Sequence, residues 1–139
     1  MSGSLQFNYN GVVANMQTAS IGILRAARNG VQDSVDDLKR IAVDIAPIDS
    51  TDLRRSGQAE VSQTPGKIVG EVTFRAVENG FNYGLWIHEG EYNLGEQSQQ
   101  APGTDGYSVG NKYLERPLRG ESEKYVRWIA EEVRDAVGD

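Results

Sequence analysis

The sequence predicts a mixed fold in which a long helix, a group of short strands and a second helix follow one another along the chain. Three observations give that order. An apolar stripe of helical period runs from Val12 to Ile45, two stretches of strand character lie between residues 57 and 76, and a second helical stripe runs from Tyr125 to Ala136. At 139 residues the chain fits one domain, spanning residues 1–139, with room for a single core.

The first stripe comprises Val12, Met16, Ala19, Ile23, Leu24, Ala27, Val31, Val35, Leu38, Ala42 and Ile45, in steps of three and four. Arg25, Arg28, Asp33, Asp36, Asp37, Lys39 and Arg40 fill the opposite face. Unbroken, such a helix is about 50 Å long. Gly22 and Gly30 weaken it, so a bend or two helical pieces are expected near "RNG". Pro47 ends it by pushing the preceding residue out of the helical region.

Asp49, Ser50 and Thr51 are turn and N-cap residues, and "TDLRRS" has length for a turn or two of helix. "GQAEVSQT" and "KIVGEVTFRA" read as two strands joined at "TPG", with Ile68, Val72 and Phe74 on one face and Gly70 between them. Asn79-Gly80 is a hairpin turn signal, after which "FNYGLWIHEG" returns as a short aromatic strand or an irregular helical turn. Residues 91–111 lack any period and are rich in Gly, Gln and Ser, which predicts a long flexible loop. In the closing helix Tyr125, Ile129, Val133 and Ala136 form the apolar face, joined by Val126 or Trp128, and Gly138 stops it.

Charge is unevenly placed. The formal net charge of -6 comes almost entirely from residues 57–111, where Lys67 and Arg75 face Glu60, Glu71, Glu78, Glu89, Glu91, Glu96 and Asp105. That excess argues against a nucleic-acid-binding face there. No apolar run reaches the roughly 18 residues of a membrane span. The start, "MSGSLQFNYNG", lacks the basic and apolar regions of a secretory signal, and the absence of cysteine agrees with an intracellular life.

The chemistry available is narrow. With one histidine and no cysteine, a zinc site of three or four ligands is not expected, nor is thiolate chemistry or a disulfide. Ser50, Ser56 and Ser62 lack the glycine pattern of a nucleophile elbow. Asp36-Asp37 and Glu131-Glu132 read as solvated helix faces, and "GTDGYSVG" does not sit between a strand and a helix as a phosphate cradle would. His88-Glu89 lacks a positioned partner for acid–base work. No cofactor is implied.

Three stretches carry a resemblance. Pro47, Asp49, Thr51, Asp52, Leu53, Arg54 and Ser56 follow the first helix; Tyr83, Ile87, His88, Glu89 and Gly90 follow the strands; Tyr113, Leu114, Pro117 and Leu118 open the last helix. In this order they resemble the head–tail joining proteins of long-tailed bacteriophages, called tail completion, head–tail connector or minor capsid proteins. The resemblance spans about residues 12 to 137. The chain departs from it at Asp52, where a glycine is usual, and in the length of the 91–111 loop.

The resemblance implies an α+β fold, with the long N-terminal helix and the C-terminal helix packed on a small antiparallel β-sheet beside a long polar loop. It implies a structural virion protein and not an enzyme: a homo-oligomer, as a ring of six, between the head completion (portal-side) protein and the tail tube. Such a protein sits at the head–tail interface after assembly in the host cytoplasm. DNA crosses its lumen without specific binding, and no membrane is involved. On such a ring the expected partner-facing residues are Arg54, Arg55, Trp86, His88, Glu89, Glu91, Tyr92 and Tyr107. The alternatives are a tail terminator, a small cytosolic hydrolase using His88 and Glu89, or a regulatory module binding a host protein.

Overall fold

The structure, a computed structural model, describes residues 3–17, 19–47, 53–75, 77–78, 81–82, 88 and 102–138. It is an α+β arrangement of two helices on a four-stranded antiparallel sheet. In chain order the elements are β1 (Gly3–Phe7), β2 (Gly11–Met16), α1 (Ile21–Ile45), a 3-10 turn (Arg54–Ser56), β3 (Gln58–Thr64), β4 (Lys67–Thr73), β5 (Val77–Glu78), β6 (Phe81–Asn82) and α2 (Glu115–Val137). The sheet runs β1-β2-β4-β3, with β1 and β3 at its edges, and β5 pairs with β6 separately.

The first correction is at the N-terminus. Residues 12–16 belong to a strand and not to the long helix, and β1 precedes them. Val12 and Met16 are four apart, a spacing that fits a helix face and, equally, one face of a strand. Val12, Ala14 and Met16 are buried while Val13 and Asn15 are half-buried, which is the strand pattern. The hairpin closes through Asn8-Tyr9-Asn10: the Asn8 amide donates to the Gly11 carbonyl at 3.1 Å, and the buried Asn10 side-chain amide donates to the Val72 carbonyl at 3.1 Å. A Cβ on Gly11 would lie 1.9 Å from the Gly70 carbonyl oxygen, so the crossing to β4 needs glycine.

The helix then starts at Ser20, whose hydroxyl accepts from the Ile23 amide at 3.3 Å, and it is a single element. Ala46, next to Pro47, leaves it in an extended conformation. Gly30 does not interrupt the helix. It lets α2 approach, because a Cβ there would sit 2.7 Å from the Ile129 Cα. Between β3 and β4, Pro65 presets one turn position and Gly66 takes the left-handed one at φ 75°.

Two clusters fill the interior between sheet and helices. One joins Val12, Ala14, Met16, Ala27, Val31, Ile68 and Ile129. The other joins the second half of α1 with Leu53, Val72, Phe74, Tyr113, Leu114, Leu118 and Tyr125. Gly70 lies under α1, where a Cβ would meet Val31 at 2.4 Å. The helices run antiparallel, with Gly30 beside Ile129 and Asp37 beside Lys124. On α2, Tyr125 and Ile129 are buried and Trp128 packs at the margin, whereas Val126 and Ala136 are exposed. Asp49, Ser50, Thr51 and the turn at Asn79-Gly80 lie outside the described residues.

Candidate functional site

The described residues of the three resembling stretches, Leu53, Arg54 and Ser56, then His88, then Tyr113, Leu114, Pro117 and Leu118, lie near the C-terminal end of α1. Leu53 is fully buried there. Arg54 turns back on the helix end, its Nε donating to the Ala46 carbonyl and its Nη2 to the Asp44 carbonyl, each at 2.8 Å. Ser56 donates to the Leu53 carbonyl at 2.7 Å and accepts from the Arg75 amide at 3.0 Å. These bonds satisfy backbone groups that a helix end and a tight turn leave open.

Tyr113 is the centre. Its ring meets Phe74 edge-on at 4.9 Å and His88 edge-on at 5.0 Å. The Lys112 amide donates to the His88 carbonyl, and the Gly110 amide to the Ile45 carbonyl, both at 2.9 Å. Leu114, Pro117 and Leu118 are buried beside it. Burial pushes the Tyr113 phenol above its ordinary range.

Four of the expected interface positions are described. His88 is 5% exposed, a ring packed against Tyr113 in this hub. Arg54 closes α1, and burial lowers its pKa. Tyr107 lies against α2: its hydroxyl donates to Glu121 at 2.8 Å, and a Cβ on Gly120 would strike it. Burial first, then the Glu121 carboxylate, push that phenol up to about 12. Arg55 is exposed. Trp86, Glu89, Glu91 and Tyr92 lie outside the described residues.

A polar seam between the helices was not foreseen. Asp37 accepts from Lys124 at 2.9 Å, from Tyr125 at 2.9 Å and from Arg40 at 3.0 Å. Arg40 also reaches Asp105 at 2.7 Å, and Lys124 reaches Glu121 at 2.9 Å. Burial alone would raise the Asp37 carboxyl, but the hydrogen bonds from Lys124, Arg40 and Tyr125 outweigh it and hold it below the usual carboxylate range. The solvated face expected at Asp36-Asp37 therefore describes Asp36, not Asp37.

The same seam corrects the loop. Residues 102–110 are not a structureless run: Thr104 and Tyr107 exchange backbone bonds, Val109 is buried, and Arg116 donates to the Ser108 carbonyl at 2.9 Å. Residues 91–101 lie outside the described residues.

The acid excess also divides. Glu60 and Glu71 are directly opposed across β3 and β4 on the helix-free face of the sheet, whereas Asp105 is bound to Arg40 on the helix side. An open groove of about 670 Å³ runs beside them, lined by Ser56, Gln58, Glu60, Thr73, Phe74 and Arg75. Among the described residues no group of three or more acidic or histidine side chains could hold a metal, and no helix is long and apolar enough to cross a membrane. Comparisons with protein-family models, with curated proteins and with solved structures find no match to this chain.

Proposed function

We propose that the protein is a tail completion or head–tail connector subunit of a long-tailed bacteriophage. It forms a ring of copies, six by the family resemblance, between the portal-side head completion protein and the tail tube. The observation that carries this reading is the convergence of the described residues of the three resembling stretches. Leu53, Arg54 and Ser56, then His88, then Tyr113, Leu114 and Leu118 assemble into one hub at the end of α1. A resemblance made of scattered coincidences has no reason to fold into a single contact set, whereas a fold signature does. The described residues of that signature pack the core and close the helix end and the turn, which fits a building block.

In this reading DNA passes through the ring without being held. The described carboxylates placed to repel phosphate are Glu60 and Glu71, side by side on the helix-free face. Loss of the gene should leave filled heads and finished tails unjoined in electron micrographs, and purified protein added to the two halves should restore infectivity. Tails of abnormal length would point to a terminator instead. Joined particles forming normally without the protein would overturn the proposal.

A further inference from the structure

The backbone pattern of the sheet shows which groups its two edges present. The Met16 amide donates to the Gly66 carbonyl, and the Val72 amide donates to the Asn10 carbonyl. Even-numbered residues at the two ends of β2 thus face β4, so the odd-numbered ones face β1. Through the register, Ser4 and Gln6 bond inward, and the amides and carbonyls of Gly3, Leu5 and Phe7 point away from the sheet. The same step across β4 turns Gln58, Glu60, Ser62 and Thr64 inward and leaves Ala59, Val61 and Gln63 pointing out. Consistent with this, Arg28 reaches the outward Val61 carbonyl at 3.3 Å.

Apart from the Arg28 bond to the Val61 carbonyl, neither edge carries the usual guards against pairing. β1, "GSLQF", has no charge and no proline, β3 has Glu60 alone, and the register of both is continuous without a bulge. Among the described residues no strand covers the outer side of either. Their helix-side residues Leu5, Phe7, Ala59 and Val61 are only half-buried. An edge with these properties is a template for another strand.

We propose that β1 of one copy pairs antiparallel with β3 of the next, in the register Gly3 to Gln63, Leu5 to Val61 and Phe7 to Ala59. Three features of the two edges argue for this occupant. The strand directions alternate β1, β2, β4, β3, so an antiparallel junction continues the sheet without a break. Each edge offers three outward residues at the same spacing. The junction also places Leu5 beside Val61 and Phe7 beside Ala59 on the helix side, and keeps polar Ser4, Gln6, Glu60 and Ser62 on the other face. Pairing of unlike edges is head-to-tail, the geometry that closes rings. Pairing of two β3 edges would leave β1 open. The inference deepens the ring reading and rests on it only for closure.

Cross-linking tests the register, and the absence of native cysteine makes the result clean. Ser4 and Ser62 are exposed and become a non-hydrogen-bonded pair across the junction, about 4.5 Å apart between Cα atoms. Within one subunit they lie on opposite edges, roughly 14 Å apart at three strand spacings, too far for a disulfide. Under mild oxidation at high protein concentration, the double variant Ser4→Cys/Ser62→Cys should give a ladder of multimers that reductant collapses. Each single variant should give no ladder, and Gln6→Cys/Ser62→Cys, two residues out of register, should cross-link roughly tenfold less. A chain that stays monomeric and unlinked overturns the proposal. So do products that stop at dimer and form instead with Glu60→Cys/Ser62→Cys, which mark two β3 edges meeting. A ladder from a protein that does not join heads to tails leaves the pairing intact and overturns the connector function; rescue of joining without any ladder does the reverse.

Discussion

The hub at the end of α1 and the two edges of the sheet are opposite in character. In the hub, the backbone carbonyls of Asp44, Ile45, Ala46 and Leu53 each accept a hydrogen bond, and Leu53 and Tyr113 are almost wholly buried. At the edges six residues point their backbone groups outward, and Arg28 alone among the described side chains is bonded there. The recognisable residues therefore lie in the closed region, while the surface open to a partner is built from plain strand sequence. A resemblance read from motif residues reports how a chain folds, and contact surfaces are free to sit elsewhere.

The largest expected effect tests the closed region. Tyr113→Ala removes the ring on which Phe74 and His88 both rest, and should cost about 3–5 kcal/mol, by analogy with other large-to-small aromatic changes. Ser62→Ala on the edge should change stability by less than about 0.5 kcal/mol. Urea titration of both variants reads the difference as a shift in midpoint at constant slope. Equal midpoints would erase the distinction between hub and edge.

Two glycines of α1 sharpen it next. Helix propensity favours alanine at Gly22 and Gly30 alike by up to about 1 kcal/mol. At Gly22 the nearest atom to a new Cβ is the Ser20 hydroxyl at 4.0 Å, so Gly22→Ala should stabilise. At Gly30 the Ile129 backbone blocks the methyl, and overpacking of about 1–3 kcal/mol should reverse the sign. Thermal unfolding of the pair checks the opposite signs; parallel shifts would mean that the helices separate easily.

Much of the hub and core was legible because their signals are local. The period of Ile23 to Ile45, the alternation of Ile68 and Val72, the stop at Pro47 and the cap at Gly138 each act within a few residues. The hairpin of β1 and β2 was hidden because Val12 and Met16 satisfy two periods at once. The better signal was the alternation of Leu5 and Phe7 with Val12, Ala14 and Met16 about the turn "NYNG". The roles of Gly30, Asp37 and His88 depend on residues far along the chain: Ile129, Lys124 and Tyr113. A glycine beside "RN", a carboxylate in a charged face and a histidine before a glutamate have ordinary local meanings, and only the tertiary contacts change them. Trp86, Glu89, Glu91 and Tyr92 stay as sequence expectations.

A smaller effect, on the polar seam, depends on pH. The Tyr107 phenol is raised from its ordinary value to about 12, first by burial and then by Glu121. Its neutral form is therefore favoured in the folded state. That contribution is fully present below pH 10 and is lost as pH rises from about 10 towards 12. Asp37 works in the other direction: its depressed carboxyl stabilises at neutral pH, and the contribution fades as pH falls below about 3.8. Tyr107→Phe should cost about 0.5–1.5 kcal/mol at pH 7 and flatten the alkaline limb. Denaturation midpoints between pH 7 and 12 check this; an unchanged alkaline limb would remove Tyr107 from the seam.

The smallest change, at Arg28, is read against Arg54, since both arginines bond to backbone carbonyls. Arg54 holds two carbonyls at the end of α1, each at 2.8 Å, beside buried Leu53. Arg28 holds one, Val61, at 3.3 Å on an open edge. Arg54→Ala leaves helix-end carbonyls to find water in a crowded place and should cost about 1–2 kcal/mol. Arg28→Ala removes a long bond from a carbonyl that solvent reaches easily, and should cost less than about 0.5 kcal/mol. Its more telling effect is on association. In the proposed junction the Val61 carbonyl receives the Leu5 amide of the next copy, so the Arg28 side chain has to leave first. Removing it should tighten self-association in sedimentation at unchanged monomer stability. If Arg28→Ala instead destabilised the subunit as much as Arg54→Ala and left association unaltered, the edge would be a closed part of the monomer like the hub, and the contrast between the two regions would fail.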